Sequence, residues 1–191
     1  MKNALILMAL LIFCFAGCKT TKPAASTKSE KVVTAPPVPD QEPTRENFSD
    51  PSTWILDYFN PDRLKQPPYN SWYIKGYDDY QINSEALNKL LDINKDNLTI
   101  KIIMGTWCPD SRREVPRVMR IADIWNFPLS KIIFIGVDHD KKSAVGEYNS
   151  LNIEKVPTFI FYKNNIEAGR IIENPATSLE QDMVNILTRN E

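Results

Sequence analysis

Histidine and cysteine are scarce in this chain: one histidine, His139, and three cysteines, Cys14, Cys18 and Cys108, among 191 residues. Beyond residue 18 one of each remains, too few soft ligands for a zinc or iron–sulfur site, so no metal and no cofactor is expected. Glycine is also sparse, six in all, and none is grouped into a phosphate-cradling loop. Neither sign of charge is in excess, with 23 Lys and Arg against 24 Asp and Glu. The absence of any Lys/Arg block removes the electrostatic footprint of a nucleic-acid binder, and no nucleic acid is expected as a partner. No apolar run approaches the roughly 20 residues that a membrane-spanning helix needs, and no internal repeat is found.

The longest apolar run, Ala4 to Phe15, follows the basic start Met1-Lys2 and has the dimensions of a secretion signal. It ends on Phe15-Ala16-Gly17-Cys18, with polar residues at once beyond. These four residues resemble the lipobox of bacterial lipoproteins, with Phe15 where leucine is usual. The resemblance implies a signal peptide over residues 1–17 and lipidation of Cys18, which becomes the mature N-terminus. It further implies a chain held by its acyl groups in the cell envelope, on the periplasmic face or at the outer membrane. Cys14 then leaves with the signal peptide and Cys18 is consumed by lipid. Cys108 is left alone, and no intramolecular disulfide can form. Residues 18–46 are rich in Thr, Lys, Pro, Ser and Ala with little to bury, and read as a disordered tether with a reach of roughly 30 Å.

Residues 47–71 form an N-terminal extension. Asp50-Pro51 caps a short helix with Trp54, Ile55 and Tyr58 on one stripe, Asn60-Pro61 stops it, and Gln66 to Tyr69 connects. Residues 72–191 read as one α/β domain. Trp72, Tyr73, Ile74 and Tyr77 suggest a first strand, and the aromatic density from Phe48 to Tyr80 reads as sheet cover, with a substrate groove as the other possibility. Asn83-Ser84-Glu85 caps a helix burying Leu87, Leu90 and Leu91. Leu98 to Met104 is a buried strand, a helix runs from Pro109 to about Trp125 with Pro116 as an expected kink, and Lys131 to Val137 is another buried strand. A short helix is expected over Asp140 to Ser150. Two strands, Thr158–Tyr162 and Ile166–Ile172, flank an asparagine turn, and Ser178-Leu179-Glu180-Gln181 opens a last helix. The alternation predicts a central mixed sheet with helices on both faces.

Chemistry concentrates at Trp107-Cys108-Pro109-Asp110-Ser111, where a buried strand delivers one cysteine to a helix start. Pro109 suits the first helical position, because its missing N–H would be unpaired there anyway. The free N–H groups and partial positive charge of that end favour the thiolate, the nucleophilic form. Arg112 and Arg113 act in the same sense and Asp110 against it. His139 follows the neighbouring strand, within range of the cysteine or idle in a loop.

Trp107-Cys108-Pro109 after a buried strand, Pro116 eight residues beyond the cysteine, and Val156-Pro157-Thr158 opening the hairpin together resemble the thioredoxin family, over roughly Trp72 to Arg189. The resemblance implies a thioredoxin-like fold, with Cys108 as the attacking thiol, Pro157 as a cis proline against it, and Trp107, Pro109, Val156 and Thr158 as the surface that meets a partner peptide. It also exposes two departures. The family's second cysteine is Ser111, and its buried acid on the preceding strand is Ile102. The two losses agree, since without a resolving thiol there is nothing for that acid to deprotonate.

An alcohol is far too weakly acidic and nucleophilic toward sulfur to resolve a mixed disulfide. The expected chemistry is therefore of a one-thiol kind, isomerase-like or deglutathionylating, on protein or peptide disulfides, with an external thiol as resolving partner. A non-catalytic module that binds protein or peptide along the Pro157 edge, with Cys108 incidental, is the other reading.

Overall fold

The computed structural model describes residues 47–189. The expected signal peptide, the expected tether and Cys18 lie outside the described residues.

Five strands form one mixed sheet in the order β1-β3-β2-β4-β5: β1 (Asp57–Tyr58), β2 (Leu98–Met104), β3 (Ile132–Gly136), β4 (Thr158–Lys163) and β5 (Ile166–Ile172). β2 runs parallel to β3, and the other pairs are antiparallel. The four α-helices among the described residues are α1 (Asn70–Asp79), α2 (Ser84–Leu91), α3 (Pro109–Ile124) and α4 (Leu179–Thr188).

The two-residue period of the strands sorts the core into two layers. Ile100, Ile102 and Met104 of β2, Phe134 of β3, and Phe159 and Phe161 of β4 pack with buried side chains of all four α-helices. On the opposite face Ile103, Ile135 and Ile160 pack under Val145, Tyr148, Leu151 and Val156. Helices on both faces are thus present in a reduced form: α-helices on one, and on the other the 3-10 turn Tyr148–Leu151.

That turn corrects the helix expected over Asp140 to Ser150. Asp138 closes the preceding loop on itself, its N–H bonded to the Lys142 carbonyl and its carboxylate accepting from Lys142 N. Lys141 takes a left-handed φ of 59°, which no helix tolerates. Asp57 then draws the chain outward by accepting from Ser143 Oγ and Ala144 N.

A second correction concerns Trp72 to Tyr77, expected as a strand and found in α1. Aromatic residues favour strands on average, but tertiary packing decides here. Tyr73 is buried, and α1 lies so close on α3 that a Cβ on Gly76 would come 2.7 Å from the Pro116 ring. Pro116 leaves α3 continuous from Pro109 to Ile124. The aromatics of this region go mainly to core, as expected: Phe48, Tyr69 and Tyr73 are buried and Trp72 packs against them.

The first strand is instead β1, in the extension. Asp50 caps only a 3-10 turn, Pro51–Thr53, by accepting from Ser52 N at 2.9 Å, and the chain then pairs with the edge of β3. This pairing requires Gly136, where an added Cβ would sit 2.0 Å from the Ile55 carbonyl oxygen. Ile55 and Leu64 join the same core as β2 and α3, so the extension is built into the domain.

Candidate active site

β2 ends at Met104 and the chain turns through Gly105-Thr106-Trp107 into α3. Cys108 is the N-cap residue, with extended φ and ψ of −80° and 122°, and its carbonyl accepts from Arg112 N at 3.1 Å to open the helix. Pro109 occupies the first turn as expected. Cys108 is the one cysteine among the described residues and is free.

Its side chain is buried, 6% exposed, and the sulfur lies 3.2 Å from the Val156 carbonyl oxygen. A thiolate has no proton to give, so this contact belongs to the thiol form. The Val156–Pro157 peptide is cis, and Val156, Pro157 and Thr158 are all buried. The Pro157 carbonyl accepts from Glu173 N at 2.7 Å, and the Thr158 hydroxyl donates to the Lys155 carbonyl at 2.7 Å. The hairpin thereby brings Val156 and Pro157 to the thiol, while Thr158 continues into β4.

Ser111 is fully buried one turn into α3, and its hydroxyl accepts from Gly105 N at 3.3 Å. It braces the turn before the cysteine. Ile102 is also fully buried, within the apolar layer under the helices.

The charged neighbours are mostly engaged elsewhere. Arg112 donates to the Thr106 carbonyl at 3.4 Å and lies 4.6 Å over the Phe48 ring. Arg113 bonds Asp110 at 2.7 Å and the buried Glu114 at 2.6 Å. Those two carboxylates, Glu114 foremost, hold the Arg113 guanidinium in its charged form.

Two features of the site, Thr106 and Trp54, have no local signature in the sequence, and a third, His139, read there as within range of the cysteine or idle, stands beside them. The Thr106 side chain, 1% exposed, donates to the Thr53 carbonyl at 3.0 Å and accepts from Ile55 N at 3.3 Å, fastening the extension to the cysteine loop. Trp54 reaches the same rim. His139 is exposed and stands between Trp54 and Trp107, with ring centroids 6.2 Å and 4.6 Å away. Both indoles are anchored, Trp54 Nε1 to the Phe48 carbonyl and Trp107 Nε1 to that of Val137, each at 3.0 Å. His139 thus joins the site through Trp107. Among the described residues no group of three or more His, Cys, Asp or Glu is placed to hold a metal, and no helix is long and apolar enough to cross a membrane.

A thiol at a helix N-cap, facing a cis proline at the start of a hairpin on a mixed sheet, defines the class of thioredoxin-like proteins. The family model described as thioredoxin matches residues 66–186, more than half of the chain, and the chain belongs to the thioredoxin family. It is 33% identical over 84 residues to the TPR repeat-containing thioredoxin TDX of Arabidopsis thaliana, a match covering 44% of this chain and 20% of that protein. The chain therefore spans about a fifth of the length of that relative. Among solved structures, a protein of unknown function from Pseudomonas aeruginosa aligns with 64% of this chain and 83% of its own at 12% identity, with a TM-score of 0.46. Thioredoxin O2 from Arabidopsis thaliana, in its oxidized state, aligns with 47% of this chain and 72% of its own at 21% identity, with a TM-score of 0.31. Membership of the family points to redox chemistry of the thiol–disulfide kind in general.

Proposed function

We propose that this protein is a one-thiol, CxxS member of the thioredoxin family, tethered in the cell envelope through lipid on Cys18, that exchanges with disulfides of exported proteins through Cys108. One observation carries the reading: the lone thiol of the domain sits at the N-cap of α3, 3.2 Å from the carbonyl that precedes Pro157.

Cys108 loses its proton to water, and the thiolate attacks one sulfur of a partner disulfide. A Cys108–partner S–S bond forms as the partner's own S–S bond breaks, and the second partner sulfur departs as a thiolate that takes up a proton. Cys108 is oxidised and the departing sulfur reduced. Deprotonation also frees the Val156 carbonyl to accept from the backbone of an extended partner strand. Trp107 and Pro109 flank the same point, and Thr158 holds the hairpin. Ser111 has no thiol with which to attack the new bond, so release needs a second thiol, either the partner's own or a small-molecule one. The products are then a rearranged disulfide or a partner freed of its adduct, with no net reduction by the domain itself.

The chain organisation completes the proposal: residues 1–17 as signal peptide, 18–46 as tether, 47–71 as extension and 72–191 as the thioredoxin-like domain. Capture tests it. Native protein in an envelope extract without reductant is expected to form disulfide-linked adducts that vanish on adding thiol and are absent with Cys108→Ala, while Cys18→Ser abolishes membrane association and leaves adduct formation intact. The second reading, a binding module, draws on the burial of Cys108. It predicts equal, non-covalent capture by native protein and Cys108→Ala.

A further inference from the structure

We infer that Trp54, supplied by the N-terminal extension, is a specificity-determining residue that selects partners carrying an aromatic side chain beside the attacked cysteine. The inference rests on Cys108 acting as the exchanging thiol.

Three observations carry it. The extension is fixed to the cysteine loop rather than merely near it. Thr106 bonds Thr53 and Ile55, the residues on either side of Trp54; the Arg112 guanidinium sits between the Phe48 ring and the Thr106 carbonyl; and Gly136 alone admits the Ile55 backbone. The indole so positioned is half-buried, with its N–H committed to the Phe48 carbonyl, so it offers ring surface and no donor. Finally, Trp54, His139 and Trp107 form one continuous row of rings ending on the residue bonded to Cys108. The His139 imidazole in the middle is exposed and is held by these ring contacts.

A partner chain that crosses Cys108 along this row meets the three rings beside the attacked sulfur. Ring–ring contacts at such centroid separations add selectivity beyond simple burial, about 0.5–1.5 kcal/mol per pair, or roughly 2–13-fold in rate if formed in the transition state. Rigid indoles also concentrate binding energy at low entropic cost.

The test uses two symmetrical peptide disulfides differing only in a Phe or a Gly next to the cysteine, offered to the full-length protein. Adducts are located at Cys108 by peptide mapping, and the ratio of the two adduct rates is read. A native preference for the Phe peptide of roughly 3–10-fold, falling to near one in Trp54→Ala and mostly retained in Trp54→Phe, is the expected result. His139→Ala, at an exposed position, reports on the same row without disturbing the core and is expected to lower the ratio partway. A native ratio near one, or a ratio unchanged in Trp54→Ala, overturns the assignment while leaving the exchange reading intact. Absence of any Cys108 adduct, including with a small disulfide such as hydroxyethyl disulfide, overturns the exchange reading and this assignment with it.

Discussion

Replacing Thr106 by valine keeps the shape of the side chain and removes one hydroxyl, which makes it a clean probe of how the extension is held. Two hydrogen bonds go with it. The losses are unequal. The Thr53 carbonyl still accepts from Tyr69 Oη at 3.0 Å, so that side forfeits only a net hydrogen bond, about 1 kcal/mol. Ile55 is 1% exposed, and its N–H is left buried without an acceptor, at about 1–3 kcal/mol. The bond lost there is 3.3 Å long, which places the sum near the lower end, about 2–3 kcal/mol. For a domain of this size that corresponds to a fall in Tm of about 6–10 °C. Thermal unfolding followed by circular dichroism reads the magnitude, and amide hydrogen exchange at Ile55 reads its location. Thr106→Ser, which retains the hydroxyl, is expected to keep Ile55 protected. A Thr106→Val loss below about 0.5 kcal/mol, the range of an ordinary surface change, with Ile55 still protected, refutes the claim that this hydroxyl fastens the extension.

Two further outcomes follow from other parts of the molecule. Ser111→Cys restores a Cys-x-x-Cys pair and is expected to release each captured partner as a free thiol without added thiol, once per chain, as a disulfide forms between Cys108 and the introduced cysteine, whereas the native protein needs a second thiol for release. Alkali should loosen the packing of α1 on α3: burial first, and then the hydrogen bond to Asp123, push the Tyr77 hydroxyl up from about 10 to about 12, and burial raises Tyr73 and Tyr80 as well. Because the unfolded chain ionises first, this contribution is whole below pH 10 and is lost as pH rises toward 12. Denaturant midpoints across that window should fall, and less steeply in Tyr77→Phe.

Much of the domain was legible in the sequence where local chemistry and tertiary demand coincide. Pro109 at a helix start, the apolar run before it, and Asn164 and Asn165, which take φ of 55° and 63° at the hairpin turn, are signals that nothing elsewhere in the fold opposes. Ser178 likewise caps α4 by accepting from Gln181 N at 3.2 Å. Elsewhere the deciding partner lies far along the chain. Trp72 to Tyr77 has the composition of a strand and becomes a helix because α3 offers Pro116 opposite Gly76. β1 is two residues long, too short for any periodicity, and exists because Gly136 leaves room at the edge of β3. Asp140 to Ser150 loses its helix to the Asp138 loop and to Asp57, more than 80 residues away in sequence. At the site, Cys108, Ser111 and Pro157 are marked by their own motifs. Trp54 read as part of an apolar stripe and Thr106 carried no signal of its own, since the bond that fastens Thr106 to Thr53, the residue before Trp54, spans 53 residues.

The fate of the mixed disulfide tests the central claim most directly. Full-length protein is mixed with a disulfide of two one-cysteine peptides, the freed peptide thiol is removed, and the intact mass is followed over time, with Cys108→Ala alongside. The account predicts one peptide adduct on Cys108 that persists until a small thiol is added and then disappears, with none on Cys108 in the variant. A Cys108 that stays unmodified, or an adduct that resolves without added thiol, contradicts it.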